Sequence, residues 1–249
     1  MKSNLIKVLK YTFVILFWLL VWHAAAEAVG NNYFLPSVKS TFESLIEILK
    51  SRQSYLWIMM TFFRVVYSFI LGSILGLGLG IICNHCSFIF TLLSPIFTII
   101  KSTPVACFIT ILWVSFSGDA VSIIIGVIMV MPIIWQNVMD GYKSIDPQLK
   151  EITYVYKFNK FKKFKFLTLP SLKKFLVPAI ITSCGLCWKA EIAAEIMAYT
   201  TKSIGQSISD AKYDSNSPAV FAWSIIIIVL SVVLEFFTRK LLRRYASNA

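Results

Sequence analysis

Six stretches of this chain are apolar over a length that can cross a bilayer: about 11–29, 55–82, 88–114, 121–139, 175–198 and 218–238. A membrane-spanning helix needs about 20 such residues. The pattern predicts an all-α, polytopic membrane protein with both termini on one side. Between the first two stretches, Val38, Phe42, Leu45, Ile46 and Leu49 recur at helical spacing over 36–50, which predicts an amphipathic helix at the outer interface connecting spans one and two. A second amphipathic pattern covers 146–165, where Tyr154, Phe158, Phe161 and Phe164 fall at helical spacings beside Lys157, Lys160 and Lys163. Pro147 marks its start and Leu169-Pro170 follow its end.

Polar residues inside the apolar stretches are informative because lipid cannot satisfy them. In the second stretch Arg64, Ser68, Gly72, Gly76 and Gly80 repeat every fourth residue. That stripe suits close helix packing within the chain, with Arg64 snorkelling to the outer interface. The third stretch is interrupted by Lys101-Ser102-Thr103-Pro104. Proline removes a helix donor, Ser and Thr can satisfy the freed carbonyls, and a lysine at that depth needs a water-filled cavity or protein beside it. The fifth stretch carries Trp188-Lys189-Ala190-Glu191 and Glu195. Glu191 and Glu195 share one helix face, and these ionisable groups either line a conduit or tie to a neighbouring helix. Lys101 to Pro104, Trp188, Lys189, Glu191 and Glu195 are therefore the candidate translocation-pathway residues.

Composition agrees. The 249 residues are 57% hydrophobic and 14% charged, with mean hydropathy +0.74, against roughly a quarter charged in soluble domains. The net charge of +12 does not point to nucleic acid, since the basic residues lie in short gaps between apolar runs. Instead it sets topology: sixteen Lys and Arg fall in the termini and the 83–87 and 140–174 connections, against five in the other three connections. By the positive-inside rule both termini and the 140–174 loop are cytoplasmic. The basic start and the small residues Ala24-Ala25-Ala26 resemble a secretory signal, but the first apolar run is long enough to be an uncleaved helix. The five cysteines include two C-x-x-C pairs, Cys83/Cys86 and Cys184/Cys187. They lie in different predicted helices with no further ligand pair, so they are assigned as small apolar packers, with no metal site and no catalytic residue.

An ordered set of residues then carries a family resemblance: Pro132, Asn137, Gly141, Asp146-Pro147, Glu151, Leu169-Pro170, Trp188-Lys189, Ala193-Ala194-Glu195 and Ser203-Ile204-Gly205. Leu35-Pro36-Ser37, Thr61 with Arg64, the glycine-rich second stretch, and Pro104 followed by Trp113 and Gly118 agree with it. From about Leu35 to the C-terminus the chain resembles permeases of the nitrate/sulfonate/taurine class of ABC importers. The resemblance implies a type I ABC importer permease fold, with an N-terminal helix over 1–34 and a permease core over 35–249. It implies a coupling helix that docks on the ATPase within about 146–170. Asp146, Pro147, Glu151, Ile152, Thr153, Lys157, Phe158, Phe161, Leu169 and Pro170 are its matched or neighbouring residues. Where the family has Glu-Ala-Ala this chain has Glu151-Ile152-Thr153, and Lys157 stands in place of a glycine, which weighs against the family's tight turn.

The expected partners are two copies of an ABC ATPase subunit, an extracytoplasmic solute-binding protein, a second permease copy as a homodimer, and membrane lipid, with no nucleic acid. No G-x-x-x-x-G-K-[ST] loop occurs, so ATP and Mg are expected on the ATPase and this chain is expected to bind no cofactor. The expected function is the translocation path for a nitrate-, sulfonate- or taurine-like anion or related small organic compound, in the cell inner membrane. The alternative, a secondary transporter or channel working without an ATPase, predicts an internal repeat of broken helices. The Lys-Ser-Thr-Pro break has no counterpart in the other half.

Overall fold

The computed structural model describes residues 2–247; Met1, Asn248 and Ala249 lie outside it, as do the side chains of 2–8, 11, 160 and 243–247, including those of Lys2, Lys7, Lys160, Arg243 and Arg244 from the charge count. The regular structure is helical: α1 Lys2–Val29, α2 Val38–Lys50, α3 Arg52–His85, α4 Ser87–Ser102, α5 Val105–Trp113, α6 Gly118–Lys143, α7 Pro147–Val155, α8 Lys160–Lys163, a π-helical turn Phe164–Thr168, α9 Leu169–Met197, α10 Ile204–Tyr213 and α11 Ser217–Ser247. α1, α3, α6, α9 and α11 contain windows long and apolar enough to cross a membrane. The outward faces of α1, α3 and α11 expose large apolar side chains, among them Phe13, Trp18, Ile74, Ile228 and Phe236. Lipid is the solvent that suits such a surface.

The third apolar stretch departs from a straight span. α4 and α5 meet at 102° across Thr103-Pro104. Pro104 has no N–H to give and forces Thr103 into extended backbone, φ −88° and ψ 134°. The Ser102 and Thr103 hydroxyls turn back onto the Ile99 carbonyl at 3.1 and 2.8 Å, satisfying the acceptor that the break frees. Among the described residues the outcome is five long helices and one bent pair rather than six straight spans.

α3, α6 and α9 form the centre, packed around Val65, Val130, Ile134, Val138, Cys187 and Trp188. The glycine stripe of α3 explains how closely α6 approaches. A Cβ at Gly72 would stand 2.9 Å from Val130 Cβ, one at Gly76 2.6 Å from Met131 O, and one at Gly80 2.7 Å from Val138 Cβ. Each is far inside van der Waals contact, so the stripe is an intramolecular seam, as small-residue packing in lipid predicts. α2 begins at an N-cap, Ser37 Oγ accepting from Ser40 N at 3.1 Å. It links α1 to α3 and packs against α11. α1 is anchored at its end by Trp22, whose Nε1 donates to Pro36 O at 3.1 Å while its ring stacks on Phe221.

Candidate functional site

The polar residues of α3 and α9 meet in the interior. Glu195 and Glu191 are fully buried, and both face α3. Thr61 Oγ1 donates to Glu195 at 2.9 Å, Gly205 N donates to Glu195 Oε2 at 3.2 Å, and Ser68 Oγ donates to Glu191 Oε2 at 2.9 Å. Arg64 does not snorkel. Its side chain is only 14% exposed and turns inward, with Nη2 2.8 Å from Asp119 Oδ1 and Nη1 3.5 Å from Glu195 Oε1. The snorkelling expectation fails because Asp119, at the start of α6, offers a partner that the local sequence of α3 does not reveal. Arg64 also donates to the carbonyls of Thr201 and Lys202 at 2.9 and 3.5 Å. These belong to the 199–203 turn, where Tyr199 and Lys202 hold positive φ of 52° and 50°. A guanidinium with five donors is suited to bridge two carboxylates and a turn at once.

Of the two readings open for the α9 carboxylates, the tie to a neighbouring helix describes Glu191 and Glu195. Trp188 is likewise buried in the centre, and Cys187 fills the seam between Ser68 and Gly126. Lys189 points the other way and is exposed. Lys101 at the α4–α5 bend is also exposed, with Nζ 3.4 Å from Gln136 Oε1, and Gln136 in turn donates to Asp140 at 3.1 Å. The structure thus separates the α9 group into a buried tie and an open lysine, and links the Lys101-Ser102-Thr103-Pro104 break to α6. Asp119 and Arg64 were absent from the sequence-derived pathway set; a lone arginine inside an apolar run was the available signal.

The connection from α6 to α9 is not the single helix that its periodicity suggests. α7 starts at Asp146, whose Oδ1 accepts from Gln148 N at 2.8 Å, with Pro147 at the first turn. It stops at Val155. Tyr156 N returns to Ile152 O, Phe158 N to Thr153 O at 2.9 Å, and Lys157 sits at φ +45°. The tight turn is therefore present although Lys157 occupies the glycine position. α8 follows behind Asn159, whose side chain caps Lys162 N at 2.7 Å. The π-helical turn then runs directly into α9, with Leu169 and Pro170 as its opening residues. Glu151, Ile152, Tyr154, Val155 and Phe161 are exposed, Phe158 is half-buried, and Thr153 is buried, its Oγ1 donating to Lys150 O at 2.8 Å.

Comparison with known proteins places these features in a wider set. The family described as binding-protein-dependent transport system inner membrane component matches residues 72–247. A Bacillus subtilis chain named for aliphatic sulfonates transport, SsuC, is 25% identical over 212 residues, covering 84% of this chain and 76% of that one. The nitrate import permease protein NrtB of Leptolyngbya laminosa is 28% identical over 169 residues, 67% of this chain and 60% of that one. The bicarbonate transport system permease protein CmpB of Synechococcus elongatus is 26% identical over 188 residues, 74% and 67%. Among solved structures, a chain from the inward-facing MetNI methionine ABC transporter superposes with a TM-score of 0.61 at 16% identity. It covers 74% of this chain and 92% of its own length.

Proposed function

Because the chain belongs to the family of binding-protein-dependent transport system inner membrane components, as an ABC importer permease of the nitrate/sulfonate class, we propose that it forms the path for a small anion and is driven through α7 by a separate ATPase. The observation that carries the reading is α7 itself. It is a capped helix on the loop joining two central spans, with Thr153 buried and with Ile152, Tyr154 and Val155 47%, 85% and 72% exposed. An apolar face of that kind outside the bilayer suits insertion into a partner's groove. The charge count supports a cytoplasmic position for it and for both termini. Two permease copies, two ATPase subunits and an external solute-binding protein complete the proposed assembly.

The names of these three relatives concern small anions: sulfonates, nitrate and bicarbonate. Lys101 and Lys189 support an anion path, because an exposed lysine within a span needs water or a second protein surface beside it. The buried Glu191 and Glu195 are assigned to holding the helices together, with Trp188 packed beside them. The test is twofold. Tyr154→Asp with Ile152→Asp is expected to abolish ATPase co-purification and uptake while the chain still inserts; undiminished co-purification refutes the α7 assignment. Lys101→Ala and Lys189→Ala are expected to lower uptake in cells or proteoliposomes supplied with the binding protein. Full transport by both removes the anion-path reading.

A further inference from the structure

Behind α7 lies a cavity of about 480 Å³ between the ends of α3 and α6 and the π-helical turn, within the range of about 300–1,000 Å³ usual for ligand sites. Its polar lining is Asn84, His85 and Tyr142 from the ends of α3 and α6, Lys150 from α7, Lys163 from α8 and Thr168 from the π-helical turn. No carboxylate lines it, and neither Lys150 nor Lys163 has an ion-pair partner among the described residues. His85 Nδ1 is held by the Ile81 carbonyl at 2.8 Å and its ring stands edge-on to Tyr142, which leaves Nε2 unused. Two cations from separate elements therefore converge on polar donors with nothing negative to meet them.

We propose that this cavity binds the phosphate headgroup of an anionic membrane lipid. Two observations favour lipid over a free anion. The cavity is lined by the ends of the apolar helices α3 and α6, which stop at His85 and Lys143, and a bilayer holding those helices would present its headgroups near such ends. Beside it Phe161 and Phe166 are 71% and 63% exposed among Lys162 and Lys165, a basic-aromatic surface of the kind that lies on an anionic leaflet. The loop then divides its work: α7 faces the ATPase, and the exposed residues 161–166 face the membrane and fix the base from which α7 projects. This rests on the cytoplasmic placement of the loop under the proposed function.

The full-length chain is purified, stripped of lipid in detergent, and offered phosphatidylglycerol, phosphatidylcholine or inorganic phosphate, with bound lipid read by native mass spectrometry. Wild type and the surface control Lys173→Gln/Lys174→Gln are expected to retain phosphatidylglycerol and not phosphatidylcholine. Lys150→Gln/Lys163→Gln is expected to lose retention about tenfold or more, with the thermal melt confirming that it is folded; Lys163→Glu alone should act in the same direction. Equal retention by the double variant and the control overturns the site. Displacement of the lipid by an equal concentration of inorganic phosphate makes it a free-phosphate site and overturns the lipid assignment. Labelling of Phe158→Cys from each side of intact cells, with Cys86 and Cys107 replaced by Ser, tests sidedness separately. External labelling sinks the proposed function, whereas unchanged lipid retention with internal labelling sinks only this inference.

Discussion

Removing Arg64 is the sharpest perturbation of the interior. Arg64→Met keeps the length and apolar stem but deprives fully buried Glu195 of its cationic neighbour at 3.5 Å. Breaking a buried pair from one side costs about 3–5 kcal/mol, because the remaining charge stays buried without compensation. The lower end applies here, since Thr61 and Gly205 still donate to the carboxylate. The bond to Asp119 adds little, about 0.2–1 kcal/mol, because that carboxylate is 50% exposed. At about 2–4 °C per kcal/mol for a chain of this size, Arg64→Met should melt about 6–12 °C below wild type. The assay is thermal unfolding of the detergent-purified chain, followed by the reaction of buried Cys184 and Cys187 with a thiol-reactive dye. Adding Glu195→Gln removes the stranded charge, so the double variant should be more stable than the sum of the two single losses by about 2 kcal/mol. Losses that add within about 0.5 kcal/mol refute the pairing.

Three further outcomes follow from local geometry. Gly76→Ala drives a Cβ to 2.6 Å from the Met131 carbonyl, whereas Gly78→Ala meets nothing within 4 Å; the first should lower the melting temperature by several degrees and the second leave it unchanged or raise it, by up to about 1 kcal/mol of helix propensity. Lys157→Gly relieves a left-handed residue at φ +45°, worth about 1–2 kcal/mol, and should slow proteolysis of the 156–160 turn; faster cleavage argues that the lysine side chain, not the backbone, orders the turn. Ser68→Ala removes the donor to Glu191 Oε2, whose other oxygen already has no partner among the described residues, and should cost about 1–3 kcal/mol in the same dye assay.

Much of this architecture is visible in the residue pattern because lipid imposes a simple rule: apolar length makes a span, and anything polar inside it needs an explanation. The Lys101 to Pro104 break, the glycine stripe of α3 and the cap at Asp146-Pro147 are local signals of that kind. The pairing of Arg64 is not, because its partners lie 55 and 131 positions away and depend on how α6 and α9 are registered against α3. Periodicity also misled over 146–165. Aromatic residues at helical spacing continue through Lys157, so the pattern does not register one residue in the left-handed region, where a chain can turn without losing its spacing.

The interior ties suggest which parts move together. α6 and α9 are joined at one end by the loop that carries α7. At the other end Thr200 Oγ1 donates to the Gly118 carbonyl at 2.9 Å, and Arg64 of α3 holds both Asp119 and the Thr201 carbonyl. A hairpin of two helices closed at both ends and zipped to α3 through a glycine seam has few soft degrees of freedom. Under the proposed function, a displacement applied at α7 would reach the 199–203 turn through this unit, since close-packed interiors compress little. The α4–α5 pair, bent at a proline, packs on this unit through Phe97 against Trp135 and Ile109 against Val121, Ile125 and Ala194, so close packing ties it to the three-helix block as well.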